Sequence, residues 1–243
     1  MIFETFPVGL LQCNCAILGD EETREAIVID PGDEVERILA ALEKYDLKAR
    51  KIINTHTHID HVGANAELRE RTGAEVCLHK ADVFLLDNLK MQAAMIGLPA
   101  PPSSKVDAFL ESGDVIQCGS IRCGVLHTPG HTPGSLTFET EWIGGKMKGS
   151  ASLDLILSES TGGSGASRGR IEVPRQVLFT GDTLFQSSIG RTDLWQGSFE
   201  TIMESLARIL GKYDDSTLVY PGHGPPTTIG RERESNPFLK GLV

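Results

Sequence analysis

Four side chains of types that bind metal ions lie within six consecutive positions: His56, His58, Asp60 and His61. Burying these four side chains in a core without a function would cost free energy, because each imidazole or carboxylate must lose its hydration and find a hydrogen-bond partner. The apolar pair Ile52–Ile53 precedes it and is typical of a short buried strand. A strand that ends and turns into a loop would aim the four side chains at a common point. The pattern therefore predicts a metal site.

Three more candidate ligands, His131, Asp182 and His223, share this setting, since each lies in or just after a glycine-rich turn that follows an apolar run. Strand-end loops that converge on one edge of a sheet form a natural binding site. A single zinc site needs only three or four ligands, and these additions bring the set to seven. Seven ligands suit two metal ions, with one carboxylate able to bridge them.

Strand and helix patterns alternate along the chain, and the candidate ligands follow the predicted strands. Apolar runs predict strands at 15–18, 26–29, 51–54, 75–78, 115–117, 121–126, 136–138, 177–180 and 218–220. Helical periodicity or composition predicts helices at 34–45, 62–72, 81–89 and 199–210. The alternation appears in both halves of the chain, which favours an α/β sandwich in which two similar halves pack their sheets face to face.

Composition narrows the class of protein. The net charge of −10 argues against a nucleic-acid surface, which normally needs a basic patch. No run of residues approaches the length of a membrane span, and the first residues lack the features of a signal peptide. Five cysteines without C-x-x-C spacing are typical of reduced thiols. We therefore expect a cytoplasmic protein that acts on a small molecule, with no nucleic-acid or membrane partner; its oligomeric state stays open.

The whole ligand pattern resembles the metallo-β-lactamase superfamily. The resemblance to its glyoxalase II group, and to the compact bacterial branch of that group, rests on four further motifs: 129–135 (PGHTPGS), 179–185 (FTGDTLF), 189–194 (IGRTDL) and 221–224 (PGHG). It runs from the N-terminal hairpin to Asn236–Leu239. The His-x-His-x-Asp-His set with its three distant partners is highly specific for the superfamily, and the Gly-Arg-Thr-Asp loop is moderately specific for the group.

This resemblance implies the four-layer αβ/βα sandwich and a division of the ligands. His56, His58 and His131 would hold one metal ion; Asp60, His61 and His223 would hold the other; Asp182 would bridge them. The metals implied are two divalent ions, zinc first, with iron or manganese as alternatives. The activity implied is hydrolysis of a thioester such as S-D-lactoylglutathione by a metal-bridging hydroxide, positioned by Asp60 and Asp182. An aspartate at 182, where some true β-lactamases have cysteine, makes antibiotic hydrolysis a weaker expectation.

The chain departs from the larger glyoxalase II enzymes in two places. Too few residues follow His223 for their C-terminal helical domain, which contacts glutathione, so we expect a single domain over residues 1–243. Residues 142–175 show little periodicity and are longer than the family usually has there, which predicts a surface insertion. Arg191 is a candidate for binding a substrate carboxylate, and an ion pair with Asp193 is the alternative. His79 is expected to be a helix cap or to support the ligands, and His127 to be a strand residue.

Three other functions remain open from the sequence. A persulfide dioxygenase shares the motif but uses one iron held by two histidines and an aspartate, and a lactonase shares the fold. A structural metal-binding module is the non-enzymatic alternative. Structural zinc sites are usually closed four-ligand cages with cysteine, whereas seven histidine and aspartate ligands favour open, catalytic positions.

Overall fold

The computed structural model describes residues 1–141 and 176–242. Its strands are β1 (Ile2–Val8), β2 (Cys13–Gly19), β3 (Glu25–Ile29), β4 (Lys48–Ile53), β5 (Glu75–Leu78), β6 (Ala108–Phe109), β7 (Val115–Cys118), β8 (Ile121–His127), β9 (Leu136–Glu141), β10 (Gln176–Gly181), β11 (Leu184–Phe185), β12 (Ser188–Ile189), β13 (Leu218–Pro221) and β14 (Thr227–Thr228). Its α-helices are α1 (Val35–Lys44), α2 (Ile59–Val62), α3 (Asn65–Thr72), α4 (Val83–Asp87), α5 (Leu89–Ile96), α6 (Phe199–Lys212) and α7 (Ile229–Ser235). The predicted insertion at 142–175 lies outside the described residues.

Two sheets of six described strands each form the centre of the molecule. The first runs in the order β1-β2-β3-β4-β5-β6, and the second in the order β14-β13-β10-β9-β8-β7. In the first sheet β3, β4, β5 and β6 are parallel, and in the second β10 is parallel to β13. The carboxyl ends of parallel strands meet at one edge of a sheet, so loops that follow them converge there.

Three hydrophobic clusters divide the molecule into layers. Phe3, Ile29 and Ile53 of the first sheet pack with Phe138 and Phe179 of the second, which fills the space between the sheets. The outer face of the first sheet is covered mainly by α1, α3 and α5, and that of the second by α6 and α7. The order is therefore helix, sheet, sheet, helix, and the predicted four-layer sandwich is confirmed.

Local differences from the sequence prediction have physical causes. Ile2–Val8 forms an unpredicted strand at the edge of the first sheet, with Pro7, which lacks an N–H, near its end. Asp60 and His61 lie on the one-turn helix α2, so the prediction of a loop at these two positions was wrong. The predicted helix over 81–89 is a 3₁₀ turn followed by α4, and α5 continues to Ile96. None of the helices in the described ranges is long and apolar enough to cross a lipid bilayer.

Candidate metal centre

All seven candidate ligands lie at one edge of the paired sheets. His56 and His58 follow β4, and Asp60 and His61 lie on α2 directly after them. The other three lie in the loops that follow β8, β10 and β13: His131, Asp182 and His223. A backbone hydrogen bond from Leu136 N to Thr55 O, 2.7 Å long, connects the two sheets at this edge. The strand-end rule used on the sequence thus brings together residues that are up to 167 positions apart in the chain.

One group of ligand atoms consists of three imidazole nitrogens. His58 Nδ1 lies 3.1 Å from His56 Nε2 and 2.9 Å from His131 Nε2. The rings are nearly perpendicular, with interplanar angles of 83° to 88°. Three imidazole nitrogens that converge on one point match the ligands of a catalytic zinc site, so this arrangement fits a cation at their centre.

A second group contains a carboxylate and two imidazoles. Asp60 Oδ2 lies 3.1 Å from His223 Nε2 and 3.7 Å from His61 Nε2. Asp60, His61 and His223 each offer one ligand atom, and these atoms lie within 4.8 Å of one another, as do those of the first group. Both sets match the donor types of catalytic zinc, iron and manganese sites.

Asp182 lies between the two groups. Its Oδ2 is 3.6 Å from His131 Nε2 and 3.8 Å from His223 Nε2, while its Oδ1 is 3.5 Å from His61 Nε2. Within the described part of the chain, His61 Nε2 and Asp182 Oδ1 are buried polar atoms without a hydrogen-bond partner. Buried polar groups are rarely left unsatisfied, and a metal ion is one way to satisfy both atoms. The residues present therefore fit a metal centre.

The nitrogens that face away from the centre set the tautomers of three histidines. His131 Nδ1 lies 2.7 Å from the carbonyl oxygen of Arg191, and His223 Nδ1 lies 3.0 Å from that of Leu11. His61 Nδ1 lies 3.0 Å from Asp30 Oδ2. Because a carbonyl or carboxylate oxygen can only accept, these contacts place the proton on Nδ1 and leave the Nε2 lone pair for a metal.

Asp30 is a supporting residue that the sequence interpretation missed. Besides His61, its carboxylate accepts hydrogen bonds from the Thr55 backbone N–H (2.8 Å) and the Thr55 hydroxyl (2.6 Å), and it is 2% exposed. The residue ends the apolar strand β3, as His56 follows β4. The strand-end rule that selected the ligands would have found Asp30 too.

Burial and mutual repulsion keep the first group neutral. Burial, and then the charges of the neighbouring imidazoles, hold the pKa of His56 well below its ordinary value and lower that of His58 to about 3. Burial opposes ionisation of Asp60, but His61 and His223 outweigh it and hold the pKa of Asp60 below its usual range. Near neutral pH the first group therefore presents free imidazole lone pairs and the second an ionised carboxylate, the forms that bind metals. Burial opposes protonation of His61 and His223, but the acidic groups around them outweigh it and raise the pKa of both imidazoles, so a metal ion would have to displace a proton there.

Asp82 connects the loop that carries His56 and His58 to the loop that carries His131. Its carboxylate accepts hydrogen bonds from Thr132 Oγ1 (2.7 Å), Gly134 N (2.6 Å) and Thr57 N (3.3 Å). Burial raises the pKa of Asp82 to about 6, although these donors oppose the rise. An isolated acidic residue before a helix gives no sequence signal for this role.

We expect Asp82→Ala to weaken metal binding by about tenfold, as loss of a residue that supports metal ligands typically does. The substitution leaves the buried N–H groups of Thr57 and Gly134 without this acceptor, which costs about 1–3 kcal/mol for each group. Titration of the purified protein with zinc, and its thermal unfolding, measure both effects. Asp82→Asn, which keeps one acceptor oxygen, should fall between the alanine variant and the wild type. An alanine variant with unchanged metal affinity would show that Asp82 does not hold these loops.

Arg191, His79 and His127 lie outside the two groups of ligand atoms. The guanidinium of Arg191 forms two hydrogen bonds with the exposed carboxylate of Asp193, at 2.7 and 2.8 Å, so the structure contains the predicted ion pair. His79 Nδ1 accepts a hydrogen bond from Ala81 N, which confirms the predicted cap. His127 ends β8 with Nε2 2.8 Å from Pro133 O, a satisfied strand residue as predicted.

The comparison with protein families identifies the class of protein that this fold and site define. The family model of the metallo-β-lactamase superfamily matches residues 8–141 and 151–223. The chain belongs to this superfamily of metal-dependent hydrolases, whose fold implies divalent metal binding.

Individual relatives match over nearly the whole chain. The hydroxyacylglutathione hydrolase GloC of Haemophilus influenzae is 36% identical over 98% of this chain and 98% of its own length. The mitochondrial persulfide dioxygenase ETHE1 of Bos taurus is 28% identical over 92% of this chain and 70% of its own length.

Two solved structures show the same architecture. The B3 metallo-β-lactamase BLEG-1 is 31% identical with a TM-score of 0.77, covering 98% of this chain and 100% of its own. TTHA1623 in a di-iron-bound form is 34% identical with a TM-score of 0.71, covering 96% of this chain and 98% of its own.

Proposed function

We propose that this chain is a metal-dependent hydrolase of acyl thioesters with two divalent ions, most simply zinc, at its centre. The observation that carries the proposal is the pair of facing ligand groups with Asp182 between them. His56, His58 and His131 would hold one ion, and Asp60, His61 and His223 the other. The full-length similarity to a hydroxyacylglutathione hydrolase supports a thioester substrate, with S-D-lactoylglutathione as the first candidate.

When bound, such ions lower the pKa of a coordinated water towards about 7 and polarise a carbonyl oxygen. The protein's own part is to fix the ligands. The Arg191 and Leu11 carbonyls accept the Nδ1 protons of His131 and His223, which prevents those rings from turning. Asp30 does the same for His61. Asp182 faces both groups, with Oδ2 near His131 and His223 and Oδ1 near His61, so it is placed to orient the attacking water between them.

Access to the centre is one-sided. The side chains of His61 and His131 are 0% and 4% exposed, whereas those of Asp60 and His223 are 18% and 29% exposed. A substrate carbonyl therefore approaches from the side of Asp60 and His223. In the first group His56 and His131 are buried and His58 is partly exposed, so the first two are shielded from bulk water, which strengthens electrostatic interactions there.

The proposal is tested by metal quantitation and substrate turnover on one preparation. We expect two metal ions per chain and release of thiol from S-D-lactoylglutathione without oxygen consumption. One iron per chain, with oxygen consumed on glutathione persulfide, would instead identify a persulfide dioxygenase. Turnover of acyl-homoserine lactones in preference to thioesters would identify a lactonase. Stoichiometric metal binding without turnover of any of these substrates would favour the structural module.

A further inference from the structure

A cleft of about 300 Å³ opens directly beside the candidate metal centre. Its lining includes Leu10 and Leu11, in the turn between β1 and β2, and the segment after α5 from Leu98 to Pro101. Asp60, a member of the second ligand group, also lines it. The volume is at the lower end of the range for small-molecule sites. The cleft therefore begins at the atoms that the proposed reaction involves.

The lining is apolar and exposed. Leu10, Leu11, Ile96 and Leu98 are 72%, 43%, 38% and 37% exposed, and all four line this cleft. Large apolar side chains that are exposed singly need no explanation, but a contiguous group beside a catalytic centre marks a surface for an apolar ligand.

The described residues that line the cleft include no lysine or arginine. Two of them, Asp33 and Asp60, carry carboxylates, and that of Asp60 would be held by a metal ion in the proposed enzyme. The cleft therefore offers no cationic side chain to pair with either carboxylate of glutathione. An uncharged hydrocarbon chain needs no such partner.

The two sides of the candidate metal centre differ in polarity. The carbonyl of Leu11, in the apolar lining, binds His223, whereas the carbonyl of Arg191 binds His131 on the other side. The side chain of Arg191 is 59% exposed on that side, where its guanidinium pairs with the exposed carboxylate of Asp193. A charged thiol carrier is therefore better placed towards this polar surface, which leaves the apolar cleft to the acyl group of the thioester.

We propose that this cleft binds an apolar acyl chain, so that the preferred substrates are thioesters of unbranched fatty acids of short to medium length. The inference rests on the proposed thioester hydrolysis and specifies its substrate class. Each methylene buried in an apolar site contributes about 0.8 kcal/mol, which corresponds to about a fourfold change in an equilibrium or rate constant. A chain that fills the cleft should gain this factor at each step and then reach a plateau.

The test uses acetyl, butyryl, hexanoyl and octanoyl thioesters of N-acetylcysteamine, a small uncharged thiol, with the metal-loaded protein. We expect kcat/KM to rise about threefold to fourfold for each added methylene until the cleft is full. The variant Leu10→Ser/Leu98→Ser should lose about tenfold in kcat/KM on the hexanoyl ester and less than about twofold on the acetyl ester. Val115→Ser is the matched control, because Val115 is 49% exposed on β7 and does not line the cleft.

A binding measurement separates this inference from the proposed function. Ketone analogues, in which a methylene replaces the thioester sulfur, cannot be hydrolysed, and calorimetry gives their affinity for the wild type and the double variant. Chain-length-dependent affinity that the double variant loses would support the cleft even if no thioester were cleaved, in which case only the proposed function would fail. Thioester hydrolysis with no dependence on acyl length, or affinity that is unchanged in the double variant, would overturn the inference and leave the hydrolase intact.

Discussion

Asp182→Ala is expected to reduce kcat/KM for thioester hydrolysis by about 10³-fold, at the upper limit for removal of one electrostatic contact in an active site. The carboxylate lies near ligand atoms of both groups, and no other carboxylate in the described ranges contacts both. Its loss should also lower the number of bound metal ions. Steady-state kinetics combined with metal analysis of the same sample measures both effects.

Asp214→Ala is the matched control for this substitution. Asp214 is exposed in the loop after α6, and its backbone carbonyl accepts a hydrogen bond from Thr217 N (3.0 Å). We expect activity within about twofold of the wild type, as is usual for a surface substitution. If Asp182→Ala instead kept full activity and two metal ions, the assignment of Asp182 as the bridging ligand would be wrong.

The convergence of the seven candidate ligands could be predicted, because residues of these types leave a pattern that is local in the sequence. Histidines at alternate positions after an apolar run, and glycine-rich turns around single histidines, are visible without knowledge of the fold. The two-sheet sandwich could be predicted as well, since strand and helix patterns repeat in both halves. Both predictions rest on contacts that are local in the chain or on a rule about where strands end.

Other features depend on contacts that are distant in sequence. Asp82 accepts hydrogen bonds from Thr57 and Thr132, which are 25 and 50 residues away in the chain. The sequence next to Asp82 contains no pattern that predicts these partners. Helix α5 buries Leu89, Gln92 and Ala93, a mixed polar and apolar face that gives weak periodicity. The apolar cleft unites the first hairpin with the segment after this helix, so its existence follows from the packing of the two elements.

Gly222→Ala is also expected to lower kcat/KM strongly, because there is no room for a side chain at this position. A Cβ atom there would overlap Asp182 Oδ1 and would lie 2.7 Å from His61 Cε1. The backbone cannot move aside easily. Gly222 N donates to Gly181 O (2.8 Å), and Gly222 O accepts from Asn14 N (2.7 Å). The added methyl group must therefore displace ligands of the metal centre.

We expect kcat/KM of this variant to fall by about 10²-fold, the usual result of a displacement of about 1 Å in a catalytic centre. Metal content should fall with it. Gly211→Ala is the matched control: Gly211 lies in α6, and apart from its chain neighbours and its own helix backbone, no described atom would lie within 4 Å of a Cβ there. Alanine is a better helix former than glycine by about 0.5–1 kcal/mol, so this control should unfold at a slightly higher temperature and keep full activity.

A double-mutant cycle distinguishes displacement of Asp182 from general loss of structure. If the methyl group at position 222 acts by moving the Asp182 carboxylate, then adding Gly222→Ala to Asp182→Ala should reduce kcat/KM by much less than it does in the wild type. Residues in direct contact show such non-additivity, whereas independent effects add. Two effects that add in full, or a Gly222→Ala protein with wild-type activity, would contradict the close packing of Gly222 against the metal centre.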